Sequence, residues 1–216
     1  MAIEFRVKIC GVTIAADCRA AVECGADAIG LNFYPSSLRC VSDQRAKEIV
    51  GILPPSVCRV GVFVNADAEM INGRCEQLEL DSVQLHGDES PSIVSEIDRP
   101  VVRAFRLTNK ELVEVRQEIA AWQQAGAQAI LLDSGSGARY GGTGLPLDWG
   151  EVAQIRCGLP LILAGGLNCE NVAEAISIVR PFAVDVAGGV EKFPGAKDAR
   201  LMRRFVEAAK TAFKRV

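Results

Sequence analysis

Three observations predict that this chain folds as a closed (β/α)8 barrel. Short apolar, β-branched runs alternate with longer helical patterns along the whole of its 216 residues. There are eight such runs, and consecutive ends lie 21 to 31 residues apart, about one strand–helix unit each. The runs are apolar at nearly every position, as in Val60-Gly61-Val62-Phe63-Val64, which is expected of parallel strands buried on both faces. An open doubly wound sheet shares the alternation. The count of eight, and the absence of a G-x-G-x-x-G after the first run, favour closure.

The first run ends at Cys10 and leads into a helix over 13–24, where Ala16, Ala20 and Ala21 can pack inward. The second ends near Phe33 and is followed, after a loop, by a helix over 42–52. The third ends near Val64 and the fourth at Leu85, with a short helix expected over 90–97. The fifth ends near Arg106, before a helix over 109–124, and the sixth, Ala129-Ile130-Leu131-Leu132, ends at Asp133. The seventh ends at Ala164 before a helix over 171–179, and the eighth near Val186, with a last helix over 198–214. Thr13, Ser42 and Asn109 are suited to cap their helices, because a short side-chain oxygen can accept from a free N–H of the first turn. No linker or low-complexity segment interrupts the series, so residues 1–216 are expected to form one barrel domain.

Composition excludes several classes of function. With 24 basic and 27 acidic residues the net charge is −3, which does not suggest a nucleic-acid partner. Basic residues do cluster between Arg200 and Arg215, at spacings that fit the solvated face of a helix. There is no apolar run of about 18 residues, the length a membrane span needs. The charged start, Met1 to Arg6, does not read as a signal peptide. Eight cysteines contain no C-x-x-C pair, and a chain of this size needs no staples. They read as reduced thiols in a cytoplasmic protein. A single histidine, His86, rules out a two-histidine metal site; it is assigned to structure.

In a barrel, function belongs to the ends of the strands and the loops after them. Cys10 and Asp133 each close an apolar run, and together they make a plausible base and acid. Taken alone, Cys10 could equally be a small core residue. Gly165-Gly166 follows the seventh strand and Gly188-Gly189 the eighth. Glycine pairs let backbone N–H groups approach an anion, and a phosphate bound by these two loops recurs in the fold. A single pair would read as a tight turn; two at these positions favour a phosphate site. The sixth loop, 134–146, is rich in glycine and suggests a lid, with the run around Gly142 able to offer further backbone donors. Arg39, in the second loop, can hold a carboxylate through two parallel hydrogen bonds.

Taken in order, these segments resemble the phosphoribosylanthranilate isomerase family of tryptophan biosynthesis. The resemblance covers nearly the whole chain. It rests on Lys8-Ile9-Cys10-Gly11, Phe33-Tyr34-Pro35 with Arg39, Val60 to Asn65, Gln84-Leu85-His86-Gly87 and Leu131-Leu132-Asp133. Gly141-Gly142-Thr143-Gly144 with Asp148-Trp149, Ala164 to Leu167, Asp185-Val186 with Gly189-Val190-Glu191, Pro194-Gly195 and Lys197-Asp198 complete it.

The resemblance implies a (β/α)8 barrel acting on N-(5-phosphoribosyl)anthranilate, whose phosphate and carboxylate account for two anion sites in one pocket. It implies an Amadori rearrangement of an aminoaldose to an aminoketose, with no cofactor and no metal. By the same resemblance Cys10 is the general base, Asp133 the general acid, Arg39 the holder of the anthranilate carboxylate, and Asp185 a contact of the sugar. Lys8, two residues from Cys10 on one strand, shares its face and joins the binding set. A free aspartate at ~3.9 is deprotonated near neutrality and a free thiol at ~8.5 is not. The acid therefore needs a raised pKa, and the thiol gains from a positive neighbour, which Lys8 can be.

Departures from the family pattern are local. Ser36-Ser37-Leu38-Arg39-Cys40 stands where Lys-Ser-Pro-Arg-Tyr is common, Ala187-Gly188 where a Ser-Ser pair is usual, and Leu145 where a basic or polar residue is frequent. They bear on affinity and leave the acid and base in place. A dual-substrate sugar isomerase of histidine and tryptophan synthesis would use two aspartates, so Cys10 argues against it. A barrel that binds a phosphorylated ligand without turnover would have no need to keep Cys10, Asp133, Arg39 and Asp185 together. The expected partner is a small-molecule substrate, with the chain as a monomer or homodimer.

Overall fold

The structure is a computed structural model that describes residues 3–107, 112–133, 149–155 and 157–216. Eight parallel strands close in chain order: β1 Val7–Cys10, β2 Ala28–Asn32, β3 Cys58–Phe63, β4 Ser82–Leu85, β5 Val101–Arg106, β6 Ala129–Asp133, β7 Leu161–Ala164 and β8 Ala183–Val186. Closure is made by β1, which pairs with β2 on one side and β8 on the other. Around the barrel lie α1 Ala15–Glu23, α2 Asp43–Val50, α3 Ala68–Gln77, α4 Leu112–Gln124, α5 Trp149–Val152, α6 Val172–Val179 and α7 Ala199–Phe213. Among the described residues no helix is long and apolar enough to cross a membrane.

The predicted strand ends hold to within one residue, because a strand buried on both faces writes itself as an apolar run that stops where the chain turns outward. The helix starts follow less closely. Ser42 caps α2 as expected, its hydroxyl accepting from the Arg45 N–H. Thr13 does not cap α1; its hydroxyl donates instead to the Gly195 carbonyl at 2.7 Å, tying the first loop to the last one. Asn109 lies outside the described residues. The element over Pro91–Glu96 is a 3₁₀ helix, with Pro91 at its first turn. A small hairpin, β9 Glu191–Phe193 with β10 Ala196–Lys197, follows the eighth strand and was not foreseen.

Two cores result. The outer one lies between strands and helices, and α7 contributes Met202, Phe205, Val206 and Ala209 to it. The inner one fills the lower barrel with Phe5, Ala28, Val60, Val102, Leu131 and Ile162, while Ile3 and Phe5 plug the end beneath β1. Side chains of the barrel interior stack in layers. Above the apolar layers the interior turns polar: Lys8, Gln84 and Asp185 are all buried there. That change of polarity marks the floor of the site. All eight cysteines are free thiols, with Cys10, Cys18 and Cys75 buried.

Candidate active site

A cavity of about 900 Å³ opens at the C-terminal ends of the strands. Cys10, Arg39, Asp133, Asp185, Gly165, Gly166, Gly188 and Gly189 all line it, so six separate strand ends or loops converge on one space. Lys8 lies just beneath, fully buried. Gly142 and the rest of the expected lid over 134–146 lie outside the described residues.

The register of the closing strands builds the floor. Lys8 and Asp185 are direct partners across β1 and β8, so both side chains enter the barrel at one level. The Lys8 ammonium sits 3.1 Å from Asp185 Oδ1 and donates to Gln84 Oε1 at 2.8 Å. The approach to Asp185 has ion-pair distance but not hydrogen-bond angle, and that oxygen has no hydrogen-bonding partner among the described residues. Burial works against the ammonium, yet Asp185 and Cys10 outweigh it and hold Lys8 above the ordinary lysine value. Burial also raises Asp185 against the pull of Lys8. We read the pair as ionised, because a neutral carboxyl would leave a buried ammonium uncompensated.

Cys10 ends β1 opposite Gly30. A Cβ at Gly30 would come within 2.8 Å of the sulfur and 3.1 Å of Lys8 Cε, so the glycine makes room for both side chains. Gly11, at φ +68°, carries the aliphatic part of Arg39, which a side chain there would strike. Lys8 lowers the thiol as the sequence suggested, but it is outweighed. Burial and the Asp185 carboxylate push Cys10 above the ordinary thiol value, and Lys8 and Lys197 recover only part of that. Cys10 therefore rests as a thiol at neutral pH.

Arg39 is already half engaged. Glu191 accepts from its Nε at 2.8 Å and from its Nη2 at 2.6 Å, and also accepts from Lys197 Nζ at 2.8 Å. Burial opposes the Glu191 carboxylate, but Arg39 and Lys197 hold it below the usual value. An arginine carries five N–H donors, so a bidentate pair with Glu191 leaves the Nη1 side able to meet a second carboxylate. Lys197 also donates to the Ala187 carbonyl at 3.0 Å, fixing the eighth loop. Glu191 and Lys197 were quoted from the sequence as parts of a pattern, without a role. Nothing local signals a contact that spans 152 residues.

The second loop is shaped by its own side chains: Asn32 donates to Ser37 Oγ, which also accepts from the Arg39 N–H, and Asn32 Oδ1 accepts from the Tyr34 N–H. The glycine pairs differ from one another. Gly165 and Gly166 both have positive φ, at 80° and 66°, a conformation that favours glycine. Asn171 holds that turn by donating to the Gly166 carbonyl. Gly189 is bare for a packing reason, since a side chain there would run into the Leu167 carbonyl. Gly188 faces the cavity beside Arg39. Outside the regular elements, no backbone acceptor among the described residues takes the N–H of Gly165 or Gly166.

His86, which the sequence left to structure, stands in the cavity wall with Nε2 3.6 Å from Asp133 Oδ2. Burial, with Arg106, Lys8 and Arg103 nearby, lowers its pKa to about 3, so the ring is neutral near pH 7. The signal that could have found it is its position: it directly follows the fourth strand, as Cys10 and Asp133 stand at the ends of theirs.

The chain is similar to known proteins over nearly its whole length. A family model described as N-(5'phosphoribosyl)anthranilate (PRA) isomerase matches residues 7–208. A relative from Acidithiobacillus ferrooxidans, named N-(5'-phosphoribosyl)anthranilate isomerase, is 48% identical over 93% of this chain and 95% of its own. The crystal structure of phosphoribosyl anthranilate isomerase from Thermotoga maritima is similar with a TM-score of 0.87 and 42% identity, over 96% of this chain and all (100%) of that one. A structure of such an isomerase in complex with reduced 1-(o-carboxyphenylamino)-1-deoxyribulose 5-phosphate is similar with a TM-score of 0.81 and 39% identity, covering 96% of this chain and 100% of that one. A barrel with this floor, matched by the family model from the first strand into the last helix, belongs to the phosphoribosylanthranilate isomerase family.

Proposed function

We propose that Cys10 and Asp133 are the base and the acid of the family's rearrangement in this chain. The chain is an isomerase that converts N-(5-phosphoribosyl)anthranilate to 1-(2-carboxyphenylamino)-1-deoxyribulose 5-phosphate, a step of tryptophan biosynthesis. The observation that carries the residue assignment is convergence: a thiol, two carboxyls, an arginine and two glycine turns border one cavity of about 900 Å³.

In this reading Asp133 gives its proton to the furanose ring oxygen, and the C1–O bond breaks to leave a protonated Schiff base between C1 and the anthranilate nitrogen. Cys10, as thiolate, takes the proton from C2, and that electron pair neutralises the iminium to give an enolamine. Return of a proton to C1 and loss of the enol proton from oxygen give the ketone at C2. No redox partner enters. The free side of Arg39 holds the anthranilate carboxylate, the N–H groups of Gly165, Gly166, Gly188 and Gly189 hold the phosphate, and Gly142 adds to that set. Asp185, held by Lys8, meets the sugar. Replacement of the usual serines by Ala187 and Gly188 removes hydroxyl contacts and keeps the backbone donors. The chain works as a monomer or a homodimer.

The test is direct. Fluorescent phosphoribosylanthranilate generated in situ loses its signal on addition of the protein. A chain that binds inorganic phosphate but leaves the fluorescence unchanged would be a binding barrel and not this enzyme.

A further inference from the structure

The sequence motif around Gln84 and His86 has no part in the reaction as derived so far. Lys8, Gln84, His86 and Asp133 nevertheless form a continuous line from β1 through β4 to β6. Lys8 Nζ can only donate, so the Gln84 atom 2.8 Å from it is the amide oxygen. The orientation of the amide follows, and its nitrogen is the atom 3.0 Å from His86 Nδ1. An amide nitrogen also only donates. Nδ1 therefore accepts and carries no hydrogen, and a neutral ring must hold its N–H on Nε2. An imidazolium would set Nδ1–H against the Gln84 N–H, donor against donor.

We infer that His86 is a positioning residue for Asp133: Lys8 and Gln84 fix its N–H on Nε2, and that N–H aims at Asp133 Oδ2. This rests on the reading of Asp133 as the acid. At 3.6 Å the contact is longer than a hydrogen bond, and contacts of this kind commonly tighten when substrate fills a site. Once made, it keeps Oδ2 as the acceptor. The acidic proton is then confined to Oδ1, and one rotamer of the carboxyl is presented to the ring oxygen. His86 brings no charge to the step, because the ring stays neutral near pH 7.

The chain's single histidine gives the test a clean reporter, since histidine labelled with ¹⁵N yields one imidazole pattern. The wild-type protein shows Nε2 protonated and Nδ1 bare at neutral pH. Gln84→Glu offers Nδ1 an acceptor in place of a donor, so the proton moves to Nδ1 and kcat falls about 10²-fold, the scale of a misplaced catalytic group, with KM nearly unchanged. Because Gln84→Glu alters a buried site, a second pair keeps the test independent of its folding. His86→Gln keeps an N–H where Nε2 was and retains at least about tenfold more kcat than His86→Asn, which does not. A merely structural histidine would alter thermal stability and leave the kcat-to-KM split unmoved, whatever its tautomer. Nδ1 protonated in the wild type, or equal kcat in His86→Gln and His86→Asn, overturns the inference. Absence of turnover in a wild type that shows the Nε2 tautomer would overturn it through the role of Asp133, not through the geometry.

Discussion

Cys10 shows how far a single residue can be read from its place in the chain. A cysteine closing an apolar run at a barrel mouth is legible as a base candidate, and so is the lysine two residues earlier on the same face. The balance between burial, Asp185 and Lys8 is not legible, because Asp185 lies 175 positions away and only strand register brings it alongside. The net effect raises the thiol above its ordinary value. Since the reaction uses the thiolate, the competent fraction grows with pH through neutrality and into the alkaline range. Alkylation of Cys10, followed by mass spectrometry to separate it from the other seven cysteines, should rise with pH with a midpoint above about 8.5, the ordinary thiol value. Lys8→Met should move the midpoint higher still. A midpoint well below the ordinary value would mean that the site stabilises the thiolate at rest. Arg39 and Gly166 make a second pair of residue-scale predictions. Arg39→Ala should raise KM for the anthranilate substrate far more than it weakens competition by inorganic phosphate, and Gly166→Val should do the reverse. Steady-state kinetics with phosphate as competitor reads both.

At the scale of elements, strands were legible and loops were not. Each strand end was marked by its own residues, and so was the Ser42 cap of α2. Thr13 was misread because its hydroxyl is used by a carbonyl 182 residues on, a partner that local sequence cannot reveal. The β9–β10 hairpin is too short to show a period of its own, yet it carries Glu191 and Lys197 to Arg39. That cluster should leave a trace in the pH dependence of stability. Glu191 has a folded pKa below its unfolded one, so its contribution is present above the ordinary value of 4.5 and is lost as pH falls through the folded value. Melting temperatures of the wild type and Glu191→Gln should differ most near about pH 6 and converge toward about pH 3. A constant difference over that range would remove the ionised carboxylate from the account.

At the scale of the whole molecule, the seam that closes the barrel is also the floor of its site. Lys8 and Asp185 join first strand to last, both buried. Removing one charge of a buried pair strands the other, so Lys8→Met should cost about 3–5 kcal/mol of stability, and Lys8→Met with Asp185→Leu should recover much of it. Denaturant unfolding measures both, and a Lys8→Met protein as stable as the wild type would mean that the pair carries no buried charge. The central claim is that this barrel carries out its rearrangement with one acid and one base drawn from its sixth and first strands. The most direct test is the turnover of in situ phosphoribosylanthranilate by Asp133→Asn, followed across the pH range in which the protein stays folded. The account predicts the loss of a positioned acid, about 10²–10⁴-fold in kcat/KM, at every pH. Substantial activity of Asp133→Asn at any pH would show that another group or water protonates the ring oxygen, and would contradict the pairing of Asp133 with Cys10.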